Sequence, residues 1–323
     1  MNKITIAILK ILDKENKIIG SGEISKRLKL HGIDLTERAV RYHLKILDQR
    51  GLTRVFGKEG RIITDKGREE LHHALVLEKA SFVISKIDSL SYLTTLDLDS
   101  LEGDIILNIS SIDKRYLGEA YRIVKPVFES PYIMSDRVIV ADSGEYIGDI
   151  QVPKGKIGIG TICSITINGI FLKAGIPMTS RFGGVVEIID RKPEGFVALI
   201  SYDGSSLDPH ELFIKSRMTD VLGAVKKGAG KILVSFREIP VVCIDKAKEI
   251  VKRINEKGIR GILVMGEPNK PVLGVQPGIN RVGMIVAGGL NPIAAIQESG
   301  INTESTAMSA LYPFLRLSPF ELF

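Results

Sequence analysis

Cysteine is scarce in this 323-residue chain: there are two, Cys163 and Cys243. They lie far apart without metal-ligand spacing, which excludes a disulfide framework and fits buried free thiols in a reducing compartment. Histidine is nearly as rare. Of His31, His43, His72, His73 and His210, four fall within the first eighty residues, and His72-His73 point to different helix faces, so no metal set is expected. Long apolar runs are missing too. The longest, such as 157–167, are broken by Gly, Thr, Ser or Asn and are too short to span a bilayer. The Met1-Asn2-Lys3-Ile4 start carries a charge but no apolar region of the kind that opens a secretory signal. A cytoplasmic protein without membrane, metal or cofactor is the expectation. Gly-X-Ser-X-Gly, a Walker loop and a convincing catalytic dyad are likewise absent, so nothing requires an enzyme.

What is present is unevenly charged. Residues 1–80 hold 17 Lys/Arg against 11 Asp/Glu, which accounts for the whole net charge of +6, while the remaining residues hold 27 of each. A small basic module joined to a large neutral one implies a polyanion binder governed by something else. The chain is too long for one ordinary core, and the boundary is placed near residue 80, giving domains 1–80 and 81–323.

In the basic module, Ile4, Ile8, Ile11 and Leu12 recur at helical spacing. Gly20-Ser21-Gly22 breaks the chain, with Ser21 as the expected cap of a second helix that buries Ile24 and Leu28. After the turn His31-Gly32-Ile33-Asp34, Thr36 caps a third helix that stops at Gly51. At about 100° per residue, Val40, Leu44 and Leu47 fall on one side of it and Arg38, Arg41, Tyr42 and Lys45 on the other. Two short extended runs, 53–56 and 61–64, flank Gly57-Lys58-Glu59-Gly60 and predict a β-hairpin with a basic tip. Three helices and a hairpin make a winged helix-turn-helix. Thr36, Arg38, Arg41, Tyr42 and Lys45, with Arg54, Lys58 and Arg61 of the wing, are the candidate contacts to double-stranded DNA, since guanidinium and ammonium groups meet phosphates and guanine edges. A solvated helix face is the plainer reading of any one of these cations.

A helical pattern through Leu71, Leu75, Ala80, Val83, Ile84 and Ile87 joins the modules. Beyond it the order of elements occurs twice. Ile105–Ile109, a helix opening at Ile112-Asp113-Lys114, and strand patterns at 137–140, 147–151 and 156–160 precede a helical stretch ending at Gly175-Ile176. In the second copy the same order runs from Val241-Val242-Cys243 and Ile244-Asp245-Lys246 through 261–264, 273–276 and 281–284 to Gly300-Ile301. Gly158 and Gly283, and Gly175 and Gly300, are each 125 positions apart. A helix over 216–227 and a strand over 231–236 lie between the copies. Alternating strands and helices define an internally duplicated α/β domain, and ligand sites favour the junction of such halves.

The densest Gly- and hydroxyl-bearing stretch is Gly160-Thr161-Ile162-Cys163-Ser164, followed by Arg181 between Ser180 and Phe182-Gly183-Gly184. Free N–H groups at a strand-to-helix turn suit an anion, and Arg181 reads as a carboxylate clamp; glycines serving geometry alone are the competing account. The second copy, Val286-Ala287-Gly288-Gly289-Leu290, keeps the glycines and lacks the hydroxyls. Tyr202-Asp203-Gly204 begins a turn-rich loop, either pocket edge or ordinary turn.

The run Thr36-Glu37-Arg38-Ala39-Val40-Arg41-Tyr42-His43-Leu44-Lys45, with Gly51-Leu52, the Gly60-Arg61-Ile62 wing, Gly160-Thr161-Ile162-Cys163-Ser164, Gly175-Ile176-Pro177, Ser180-Arg181-Phe182-Gly183-Gly184 and Tyr202-Asp203-Gly204, resembles the NrpR-type archaeal nitrogen repressors over nearly the whole chain. That resemblance implies a repressor of nitrogen-assimilation genes released from its operator by 2-oxoglutarate, with Gly160, Thr161, Cys163, Ser164, Arg181 and Tyr202 as candidate effector residues, and a homodimer or an assembly with a related regulator. Family members often carry two regulatory domains; this chain has room for one. A small-molecule enzyme whose winged helix serves autoregulation or a protein contact is the alternative.

Overall fold

The structure is a computed structural model that describes residues 3–79 and 82–322, leaving aside the side chains of residues 3, 72, 73, 75–79, 82 and 322. The expected joining-helix positions Leu75 and Ala80 and the side chains of His72 and His73 fall outside that description. Two units divide between Ala80 and Ser81.

The first unit contains α1 (Lys3–Glu15), α2 (Ser21–Leu30), α3 (Glu37–Gln49), the hairpin β1 (Thr53–Phe56) and β2 (Gly60–Ile63), and α4 (Asp65–Lys79). Ile8, Leu12, Ile24, Leu28, Val40, Leu44 and Leu47 form one core with Leu52 and Ile63 of the wing. Thr36 caps α3 by accepting from the Ala39 N–H. Ser21 is not the cap of α2; Gly20 occupies that position, because the Ser21 hydroxyl is drawn to Glu37 of α3 instead (2.9 Å). The α1–α2 connection pairs with the wing through Ile19 and Arg61. At Gly60, φ is +138° and an added Cβ would stand 2.2 Å from the Ile19 carbonyl oxygen, so only glycine permits this approach.

The second unit begins with α5 (Phe82–Leu93). Its first half comprises β3 (Asp104–Asp113), α6 (Leu117–Phe128), β4 (Arg137–Ala141), the small ribbon β5 (Tyr146–Ile147) and β6 (Ile150–Gln151), β7 (Lys156–Ile162), α7 (Ile165–Lys173), β8 (Thr179–Ile189) and β9 (Lys192–Ser201). After α8 (Pro209–Lys215) and α9 (Val221–Lys227) comes the second half: β10 (Gly230–Pro240), α10 (Ile244–Glu256), β11 (Ile262–Met265), β12 (Arg281–Ala287), α11 (Asn291–Glu298), β13 (Glu304–Pro313) and β14 (Ser318–Pro319).

The duplication is present, with three corrections. The second copy starts at β10, not at Val241–Cys243, which is a 3-10 turn equivalent to that at Lys114–Tyr116. The helix expected over 216–227 forms only from Val221 as α9, since Ser216 already ends α8 and Asp220 caps α9 through the Gly223 N–H. The strand expected over 273–276 is a tight turn closed by an isolated bridge between Val272 and Val275.

Two five-stranded antiparallel sheets result, ordered β13-β3-β7-β4-β14 and β11-β12-β10-β8-β9. Each half lends the strand that follows its second helix to the other: β8, after α7, pairs with β10, and β13, after α11, pairs with β3. Helices follow the same exchange, with α6 and α11 in one core and α7 and α10 in another. The halves even share a hydrogen-bond device. Thr166 Oγ1 accepts from the Ile106 N–H (3.2 Å), and Asn291 Oδ1 accepts from the Leu233 N–H (2.8 Å). This reciprocal exchange brings the β7–α7 and β12–α11 turns together at the junction.

Candidate functional sites

On the winged helix, Arg38, Arg41, Tyr42 and Lys45 are all exposed while Val40, Leu44 and Leu47 are fully buried, the division that a 3.6-residue period imposes. Tyr42 stands 65% exposed with its ring edge-on to His43. Arg41 is not free: it is ion-paired with Glu37 one turn back and donates to the Ser21 hydroxyl at 3.1 Å. The Arg41 contact foremost, and then the hydrogen bond that the Ser21 hydroxyl donates to Glu37, hold the Glu37 carboxyl below its ordinary range. On the wing, Arg54 and Lys58 are exposed. Arg61 departs from the expected tip cation. Its side chain, 20% exposed, donates to Asp48 of α3 at 2.8 Å, and Thr53 donates to the same carboxylate at 2.5 Å. Arg61 fastens the wing to α3, because β2 pairing turns it inward.

In the second unit a polar row lies beneath α7. Tyr202 OH and Ser235 Oγ share a hydrogen bond of 2.9 Å, and Asn168 donates to Ser180 at 3.0 Å. Arg237 of β10, fully buried, donates through Nη1 to the Ser164 carbonyl (2.6 Å) and through Nη2 to Ser164 Oγ (2.7 Å). Its Nε, together with Thr161 Oγ1 and Asn168 Oδ1, has no hydrogen-bond partner. Burial lowers the Arg237 pKa to about 10, and no carboxylate is among the groups acting on it. Beside this row lies a cavity of about 10 Å³ lined by Asn108, Cys163, Ser164, Tyr202, His210 and Met308 among others, room for roughly one water.

The expected effector residues fare differently. Cys163, Ser164 and Tyr202 line that cavity. Burial pushes the Cys163 thiol up to about 11 and raises Tyr202 as well. Thr161 lies beside it, opposite Asn108 across the β3–β7 ladder. Gly160 does not join them: an added Cβ would meet Ile139 at 2.6 Å and Leu107 at 3.2 Å, so it is a packing glycine. Arg181 is no open clamp. The β8–β10 register slips between Phe236 and Arg237, leaving Arg181 as the extra residue of a bulge. There it donates to both Glu238 oxygens at 3.1 and 3.2 Å. Glu238 supplies the carboxylate that a ligand was expected to bring.

Sequence reasoning missed Arg237, which sits in an apolar strand pattern, Ile232-Leu233-Val234-Ser235-Phe236-Arg237. A charge inside such a run was the available signal. A larger cavity of about 320 Å³ between α6 and α11 has no charged lining residue, Phe128, Val140, Ile293 and Phe320 being typical, and offers nothing to an anion.

The wall of the small cavity also faces the start of the second unit. Val83 and Ile87 of α5 pack with Cys163, Ile165, Tyr202 and Met308. Met308 itself takes φ +52° within a β13 bulge. Among the described residues no cluster suits a metal ion, and no helix is long and apolar enough to cross a membrane.

A basic, exposed recognition helix on a winged helix-turn-helix, followed by a duplicated α/β domain with a buried polar junction, defines a DNA-binding regulator with an attached regulatory domain. The family model for NrpR regulatory domains NRD1 and 2 matches residues 80–319, and one for the ribonuclease R winged-helix domain matches residues 6–71. Global nitrogen regulator NrpRI of Methanosarcina mazei is 37% identical over 309 residues, 96% of this chain and 95% of that protein. Global nitrogen regulator NrpR of Methanocaldococcus jannaschii is 33% identical and that of Methanococcus maripaludis 31%, and the chain spans about half the length of each (53% and 54%). A crystal structure of a nitrogen repressor-like protein from Methanococcus jannaschii matches with a TM-score of 0.64 and 33% identity over 74% of this chain and 98% of that one. The chain belongs to the NrpR family of nitrogen regulators. It is a transcription regulator, as its relatives are, and not an enzyme.

Proposed function

We propose that this protein represses nitrogen-assimilation genes and releases its operator when 2-oxoglutarate binds the second unit. The exposed stripe Arg38-Arg41-Tyr42-Lys45 on the cap-started helix α3 carries the DNA half of the reading. Arg54 and Lys58 add phosphate contacts from the wing. A homodimer presents two such helices to half-sites about one helical turn apart. Assembly with a related regulator is the other arrangement in keeping with relatives nearly twice as long.

The polar junction supports the effector half. Effector action requires a ligand that favours one arrangement of the DNA modules over another. The test is binding of the full chain to duplexes from nitrogen-assimilation promoters, with and without millimolar 2-oxoglutarate. Weakened binding is expected; unchanged affinity removes the ligand assignment.

A further inference from the structure

A guanidinium in a protein interior is stable only when its charge is answered. Arg237 is fully buried, yet its donors reach only the carbonyl and hydroxyl of Ser164, and Nε reaches nothing. No carboxylate forms an ion pair with it among the described residues. Its one acidic neighbour in sequence, Glu238, is committed to Arg181 and to the Gly278 N–H at 3.1 Å. Its position compounds the cost. Ser164 is the residue that begins α7, so the cation lies at the positive end of a nine-residue helix. A buried cation, an unsatisfied donor and a helix N-terminus at one point all call for the same missing component, an anion.

We propose that Arg237 and the N-terminus of α7 form the anion-holding end of the effector site and take a carboxylate of the ligand, with Arg181 taking no part. This rests on the effector reading above and names the group that anchors the ligand. Ser164 then exchanges its hold on Arg237 for the ligand, and Nε together with an Nη supplies a two-toothed grip on the carboxylate. The cavity beside Ser164, about 10 Å³, is too small for a dicarboxylate. Entry therefore requires its wall to open; the Asp203–Leu207 segment, exposed at Asp203, Gly204 and Leu207, connects the wall residues Tyr202 and Asp208. Asp208, the acid lining the cavity, is already engaged by the His210 and Glu211 N–H groups that it caps.

The test is calorimetric titration and thermal unfolding of the full chain with 2-oxoglutarate, glutarate and inorganic phosphate, on wild type, Arg237→Met and Arg181→Met. Arg237→Met should melt no lower than wild type without ligand, since an apolar side chain relieves an unanswered charge. It should lose affinity roughly 100-fold or more, whereas Arg181→Met keeps it. Arg237→Met that folds and binds with wild-type affinity overturns the proposal, and so does a wild type that binds none of the three anions. A wild type that binds glutarate or phosphate through Arg237 but not 2-oxoglutarate keeps the site and removes the effector assignment. Should Arg237→Met not fold, Arg237→Lys retains the charge without the fork; the same loss is expected, and unchanged affinity refutes the claim.

Discussion

Glu37 holds Arg41 in an ion pair across one turn of the recognition helix. A candidate DNA-contacting cation is thus paired with an acid on the exposed surface of the same helix. Both groups are exposed, so the pair is easily exchanged.

Glu37→Gln should tighten DNA binding by a factor of about 2–10, since it frees Arg41 and removes a repelled charge. Arg41→Ala should weaken it about tenfold or more and lower the slope of log affinity against log salt by about 0.9. Fluorescence anisotropy over a salt series measures both. Unchanged affinity in Arg41→Ala would refute the placement of α3 in the groove.

Arg61→Ala should behave as a stability variant. Loss of its bond to Asp48 should cost about 1–3 kcal/mol by denaturant unfolding. Its salt slope for DNA should stay at the wild-type value, in contrast to Lys58→Ala. A fall in slope without a fall in stability would return Arg61 to the set of DNA contacts.

Gly160→Ala should lower stability by about 1–3 kcal/mol through overpacking against Ile139 and Leu107. Ligand affinity of the folded variant should be unaffected, because Gly160 faces apolar side chains. A specific affinity loss at intact stability would count against its role in packing.

Glu298 accepts the Val221 and Leu222 N–H groups at the start of α9, and burial raises its carboxyl pKa. A raised native pKa means that the folded protein takes up the proton first. The resulting stability is complete below the ordinary carboxyl value of 4.5 and is lost as pH rises through the native one. Wild type should therefore gain stability relative to Glu298→Gln as pH falls from neutrality toward that value. Parallel stability–pH curves would show that the carboxyl is not perturbed.

Cys163 is buried with its thiol raised to about 11, whereas Cys243 is partly exposed. A thiol reagent near neutral pH should modify Cys243 in the native protein and leave Cys163 until unfolding. Equal native rates would mean that the junction opens readily.

Much of this protein is set locally. The apolar period of α3, the Thr36 cap and the turn at Gly57–Gly60 act over a few residues, so the winged helix and its outward stripe are legible in the chain itself. The repeated order of elements, marked by glycines 125 positions apart, likewise reveals two related halves. Long-range pairing decided the rest. No local signal says that β8 joins β10 and β13 joins β3, and that exchange places the two strand-to-helix turns together. A one-residue bulge binds Arg181 to Glu238, while the regular face of β10 carries Arg237 under α7. Arg181 and Arg237 are therefore divided by register, one answered by an internal acid and one buried without an ion-pair partner among the described residues.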